Sequence, residues 1–207
     1  MQTVDANLKF QCPFGCMVVG PSMSGKSFFI LQLMQEATKY FDPPPARVVY
    51  AYGIWQPAFD KAKGIQFVKG VEGLSQVDFN PKSPTILVID DLMEELCNNK
   101  ELSVLFTREM HHKNITVFFL VQNLFKQGKA MRDVTLNCQM LILFKSPRDY
   151  EQIRVLGRQL GIPGLVNAYR NAIKARYGYL VINLQPTTPD LLRLQSNIFA
   201  EHRQIHM

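Results

Sequence analysis

Eight residues constrain this chain more than any others: Gly20-Pro21-Ser22-Met23-Ser24-Gly25-Lys26-Ser27 follow an apolar run and open a helical pattern. A glycine-rich loop between a strand and a helix turns successive backbone N–H groups toward one point, and the helix N-terminus adds partial positive charge there. The spacing therefore predicts a phosphate cradle in which all eight residues contact a nucleotide. Lys26 is expected to bridge the β- and γ-phosphates and the Ser27 hydroxyl to ligate Mg2+, which makes ATP and Mg2+ the expected cofactors.

The rest of the chain alternates. Strand-like apolar runs at Gly15–Val19, Val48–Tyr52, Ile86–Ile89, Thr116–Val121, Met140–Phe144 and Tyr179–Ile182 are separated by helical patterns. Those patterns lie at Lys26–Thr38, Gln56–Lys63, Leu102–His111, Asp149–Leu160 and Leu165–Lys174. In the first, Phe29, Ile30, Leu33, Met34 and Ala37 fall on one face, and Pro43-Pro44-Pro45 stops the chain from continuing as helix. This order predicts an α/β fold with a mainly parallel central sheet and helices on both faces.

With 207 residues, 47% of them hydrophobic, the chain can bury one good core. The expected organisation is a single domain over 1–207, with an N-terminal extension at about 1–11 and a C-terminal tail at about 190–207, a short helix or mobile segment after Pro189. No apolar run approaches the roughly 18 residues a membrane span needs, and Met1-Gln2-Thr3-Val4-Asp5 lacks the order of a signal peptide, so an intracellular protein is expected. Four scattered cysteines fit a reducing compartment. Cys12 and Cys16 could form a zinc site with His202 and His206 only if the termini were neighbours. Otherwise Cys16 belongs in a buried strand and both histidines in a solvated tail.

Net charge is +6, and from Lys145 onward nine Lys or Arg oppose four Asp or Glu, giving +5. A basic excess of this kind is compatible with binding a phosphate backbone.

The run Thr85-Ile86-Leu87-Val88-Ile89-Asp90-Asp91 delivers two carboxylates to a strand end. Asp90 is expected to hold Mg2+ beside the loop, and Asp91 to act as general base toward a water. Glu94 and Glu95 are alternatives, better read as first-turn helix residues. Ile115–Val121 brings Gln122 to the same edge, where an amide can sense the γ-phosphate or orient water. Arg108 and Arg132 are the candidates for an arginine supplied in trans to a neighbouring subunit's γ-phosphate, which would require a ring.

Several segments together resemble the FtsK–HerA superfamily, and more narrowly the viral genome-packaging ATPases of the poxvirus and Polinton-like type. They are the loop, Leu87–Met93, Phe106-Thr107-Arg108-Glu109-Met110-His111-His112-Lys113-Asn114-Ile115, Val121-Gln122-Asn123-Leu124-Phe125, Arg132–Asn137 and Phe144-Lys145-Ser146-Pro147-Arg148-Asp149. The likeness runs from about residue 12 to residue 160. It implies a RecA-like P-loop NTPase core, a homo-oligomeric ring (hexamer or pentamer), and translocation of double-stranded DNA into a preformed capsid. It also implies a capsid vertex partner and a place at the viral assembly site inside the host cell. In that scheme Lys126, Lys129 and Arg132 form a basic pore-facing loop. A cellular or mobile-element translocase or helicase of the same superfamily is the alternative, and a P-loop kinase is a more distant one.

Overall fold

The computed structural model describes residues 8–92, 95, 110–123 and 137–206, with the backbone alone of 2–5. The five-residue run Gly15–Val19 forms β3, after β1 (Gln2–Asp5) and β2 (Phe10–Gln11). It leads through the loop into α1 (Lys26–Gln35). Next come α2 (Ala37–Tyr40), β4 (Phe41–Asp42), β5 (Arg47–Tyr52), β6 (Ile65–Lys69), α3 (Gly70–Ser75), β7 (Thr85–Asp90) and β8 (Ile115–Val121). β9 (Met140–Phe144), α4 (Tyr150–Gln159), α5 (Leu165–Ala172), β10 (Tyr179–Asn183), β11 (Leu194–Ser196) and β12 (His202–Ile205) complete the described elements.

Ten strands form one sheet in the order β1-β12-β11-β10-β9-β3-β8-β7-β5-β6. From β9 to β6 every pairing is parallel, and from β9 outward through β10, β11, β12 and β1 every pairing is antiparallel. The parallel strands are buried along their length because alternate side chains feed two cores. Met17, Val19, Leu87, Ile89, Val117 and Phe119 point to one face, where Leu74 of α3, Ile153 and Leu156 of α4, and Leu165 and Tyr169 of α5 cover them. Cys16, Val18, Ile86, Val88, Phe118 and Leu120 point to the other, under Phe29, Ile30, Leu33 and Met34 of α1. Helices therefore lie on both faces, as the alternation of patterns predicts.

Three local expectations change. The first helix breaks at Glu36 (φ −107°, ψ 25°), short of Thr38, and the chain turns so that Tyr40 and Phe41 enter the core. Gln56–Lys63 is a five-residue 3-10 turn, Pro57–Lys61, that seats Phe59 under the sheet. The segment after Pro189 begins as the expected short helix, a 3-10 turn at Asp190–Leu192, but then continues as β11 and β12 in place of a tail. The physical reason is β10, whose outer edge would otherwise leave ladder groups unpaired. The N-terminal stretch is likewise used, with β1 pairing β12 and β2 pairing β4.

His206 is buried with its Nε2 2.9 Å from the Ser196 hydroxyl, so it does not belong to a solvated tail, whereas His202 is exposed. Cys16 is fully buried, and among the described residues no group of three metal-ligating side chains occurs. Among them, too, no helix is long and apolar enough to cross a membrane. The expected helix at Leu102–His111 lies outside the described residues except at its last two positions, which are turn.

Candidate nucleotide site

The strand order builds the site. β8 lies between β3 and β7, and the parallel registers set Val19 beside Val121 and Asp90 beside Leu120. Three carboxyl ends therefore meet at one edge, the position where parallel sheets bind ligands. The loop leaves β3, Asp90-Asp91 leave β7, and Gln122 leaves β8. Gly20 N–H donates to the Val121 carbonyl at 3.2 Å, which ties the loop to the end of β8.

The loop turns through left-handed backbone at Met23 (φ 64°) and at Gly25 (φ 99°), the N-cap of α1. Glycine at the first loop position answers a different constraint. A Cβ on Gly20 would stand 2.7 Å from the Phe144 Cβ and 2.8 Å from the Ser24 hydroxyl. The Lys26 ammonium folds over the loop and donates to the carbonyls of Gly20 at 2.5 Å and Pro21 at 2.9 Å. Burial lowers its pKa, opposed by the nearby charges of Asp90 and Asp91.

Asp90 is buried, with one carboxylate oxygen as a shared acceptor. It receives the Tyr50 hydroxyl at 2.7 Å, the Ser27 hydroxyl at 3.2 Å and the Gln56 amide at 3.5 Å. Desolvation raises the Asp90 pKa, and the hydrogen bonds from Tyr50 and Ser27 together with the Lys26 charge work against that rise. The donor set suits Mg2+: a hydroxyl and a carboxylate, both hard oxygens, stand side by side, and an added positive charge would relieve the buried anion.

A cleft of about 390 Å³ joins these groups, lined by Ser22 through Phe28, Gln56, Asp90, Asp91, Leu120, Val121 and Gln122. Asp91 is exposed on its rim in a left-handed conformation (φ 59°), and Gln122 is exposed beside it. The fold thus brings Ser22 through Ser27, Asp90, Asp91 and Gln122 to one cleft, while Gly20 and Pro21 do not line it and meet Lys26 through their carbonyls. Glu95 is exposed. Arg108, Arg132, Lys126, Lys129 and Glu94 lie outside the described residues, as do parts of the segments around them. Sequence reading missed Tyr50 and Gln56. Their signal was faint: a hydroxyl-bearing aromatic inside an apolar strand, and an amide just after it.

Fold and site define the class: the chain has the mixed α/β architecture of P-loop NTPases. No protein-family model and no curated protein matches its sequence. Among solved structures it is similar to the DNA-packaging ATPase B204 of Sulfolobus turreted icosahedral virus, with a TM-score of 0.61 and 12% identity over 94% of this chain and 97% of that one. The genome packaging NTPase B204 of Sulfolobus turreted icosahedral virus 2, in complex with ATP-gammaS, gives a TM-score of 0.55 and 14% identity over the same shares, 94% and 97%. The cytoplasmic domain of the Type VII secretion ATPase EccC of Thermomonospora curvata gives 0.56 and 14% over 84% of this chain and 24% of that one. At these identities the likeness is one of fold.

Proposed function

We propose that this chain is an ATPase of the FtsK–HerA superfamily, of the poxvirus and Polinton-like packaging type, that drives double-stranded DNA into a viral capsid. The observation that carries the reading is the convergence of Lys26, Ser27, Asp90, Asp91 and Gln122 on one cleft at the carboxyl edge of the sheet. The overlap in fold with the packaging ATPases B204, over 94% of this chain and 97% of each, agrees with a packaging role at the level of fold, and the narrower poxvirus and Polinton-like type rests on the sequence segments alone.

The loop N–H groups and Lys26 bind the phosphates, Lys26 leaving the carbonyls of Gly20 and Pro21 to reach the β- and γ-oxygens. Mg2+ held by Ser27 and Asp90 would neutralise charge developing on those oxygens. Gln122 orients a water in line with the γ-phosphorus. Asp91 takes the proton of that water as its oxygen bonds to phosphorus and ADP departs. Arg108 or Arg132 of a neighbouring copy stabilises the transition-state charge, which makes the active form a homo-oligomeric ring. Residues 1–207 act as a single domain in each subunit. Lys126, Lys129 and Arg132 are the candidate contacts to DNA phosphates, a contact indifferent to sequence and weakened by salt. The ring works against a capsid vertex at the viral assembly site in the host cell.

Steady-state ATP hydrolysis with and without double-stranded DNA, beside a Lys26→Ala control, tests the reading. Hydrolysis that depends on Lys26 and rises with DNA is the expected result. Hydrolysis indifferent to DNA at every salt concentration would remove the motor and leave an NTPase. Mixing Arg108→Ala or Arg132→Ala subunits with Lys26→Ala subunits identifies the arginine, since only a site shared between subunits regains activity.

A further inference from the structure

Two residues outside the loop donate to the Asp90 carboxylate, and they differ in kind. Tyr50 is buried inside β5, and its one hydroxyl proton is given to Asp90 at 2.7 Å. Gln56 comes after β5, is half-buried, and lines the phosphate cleft while its amide reaches the same oxygen at 3.5 Å. A carboxamide carries two N–H donors and a carbonyl acceptor, so one bond to Asp90 uses only part of what Gln56 offers to the cleft.

The turn that carries Gln56 is fastened to the acidic pair. Gly53 N–H donates to the Asp90 carbonyl at 3.2 Å, and a Cβ on Gly53 would stand 3.4 Å from the Asp91 carbonyl oxygen and 3.6 Å from the Leu92 Cδ2. On the other side Trp55 packs against Tyr52, Phe59 and Phe67, with ring centroids 5.2, 5.3 and 5.6 Å away. The Gln56 carbonyl accepts from Phe59 N–H at 2.9 Å. The amide is therefore presented to the cleft from a backbone held on both sides.

We infer that Gln56 is a positioning residue of the metal site: its N–H group stays on Asp90 while its side-chain carbonyl accepts a hydrogen bond from a water carried by Mg2+. The inference rests on the nucleotide reading given above. Mg2+ dehydrates reluctantly and keeps several waters when a protein carboxylate holds it, and those waters need acceptors. Ca2+ takes oxygen ligands directly and in flexible geometry. An acceptor for metal-bound water therefore favours Mg2+ over Ca2+. A donor that only aims Asp90, such as Tyr50, serves both ions alike.

Titration calorimetry of ADP into the full chain, run with Mg2+, with Ca2+ and with EDTA, tests it. Gln56→Met keeps the length of the side chain and removes both donor and acceptor. It should weaken ADP about tenfold with Mg2+ and less than about twofold with Ca2+ or EDTA, since losing a residue that orients a metal's ligands commonly costs that much in metal affinity. Gln56→Glu keeps an acceptor and should retain the preference for Mg2+ over Ca2+. Equal weakening in all three conditions would reduce Gln56 to a support of the cleft wall. Equal weakening with both metals, but none in EDTA, would make it a second Tyr50 that only aims Asp90. No change in any condition would leave it without a part in metal binding. Each of these overturns the inference and leaves the nucleotide reading intact, whereas wild type that binds no ADP in any condition sinks that reading and the inference with it.

Discussion

The Tyr50 hydroxyl donates a 2.7 Å hydrogen bond to the same Asp90 oxygen that accepts from Ser27. Tyr50 reaches it from the neighbouring strand, where Tyr52 is the register partner of Asp90 and Tyr50 lies one repeat back on the same face. The contact aims the carboxylate at the loop. Tyr50→Phe keeps the ring packing against Phe59 at 5.0 Å and Phe67 at 5.5 Å and removes only the donor. A hydrogen bond to a charged group contributes about 1.5–3 kcal/mol. We expect the Mg2+ concentration for half-maximal hydrolysis to rise by about tenfold, and the melting temperature to fall by roughly 2–4 °C for each kcal/mol lost. An unaltered Mg2+ dependence would show that Asp90 needs no such support.

Asp90 also links the site to pH. Its folded pKa lies above the ordinary aspartate value of 3.8 because burial disfavours the anion. An acid shifted this way binds more protons folded than unfolded between the two values, so its contribution to stability is greatest at low pH and declines as pH rises through the folded value. Asp90→Asn should therefore raise the melting temperature of the ligand-free chain at pH 7, with the advantage shrinking toward pH 4. Melting curves across that range check it, and a variant less stable than wild type at pH 7 would contradict it. The same variant should lose hydrolysis by about 100-fold or more, because the amide carries no charge to hold the metal.

Gly20→Ala tests the loop from below. The added methyl would meet the Phe144 Cβ at 2.7 Å and the Ser24 hydroxyl at 2.8 Å, and the first of these sits on a packed strand that cannot yield cheaply. Overpacking of this kind costs about 1–3 kcal/mol. For a chain of this size that corresponds to a fall in melting temperature of roughly 2–4 °C per kcal/mol. Differential scanning calorimetry reads it directly, and nucleotide affinity should fall as the loop shifts.

Ending the chain at Pro189 removes β11 and β12 and takes the partner from β1. Leu194, Ile198 and Ile205 are each at most 5% exposed, and Arg203 is buried with its guanidinium hydrogen-bonded to Gln195 and to the Leu8 carbonyl. Each such apolar side chain contributes about 1.5–3 kcal/mol, so the loss approaches the whole stability of an ordinary domain, about 5–15 kcal/mol. The shortened chain should show no cooperative thermal transition. A sharp melt would mean that the C-terminal strands are an appendage and not part of the core.

Much of the fold was legible because parallel strands buried on both faces are written as continuous apolar runs. Gly15–Val19, Val48–Tyr52, Ile86–Ile89 and Met140–Phe144 all lie within strands. β6 and β12 were not legible, since Ile65–Lys69 and His202–Ile205 bury their residues only intermittently and read as polar surface. Helix ends slipped wherever tertiary packing redirected the chain, as at Glu36, beyond which Tyr40 and Phe41 turn inward.

The phosphate loop belongs to the sequence alone, because its geometry is produced by eight consecutive residues: glycines where backbone space or positive φ is required, then lysine and serine at the start of a helix. That Asp90 and Gln122 stand at strand ends is also local. That those ends adjoin the loop is not. It follows from β8 lying between β3 and β7, an order set by how apolar faces pack and not by any one segment. The same packing brings Tyr50 and Gln56 onto Asp90 across 40 and 34 residues of chain, and sets Tyr177 beside Gly25. Contacts between residues so far apart depend on register and strand order, which exist only once the sheet has formed.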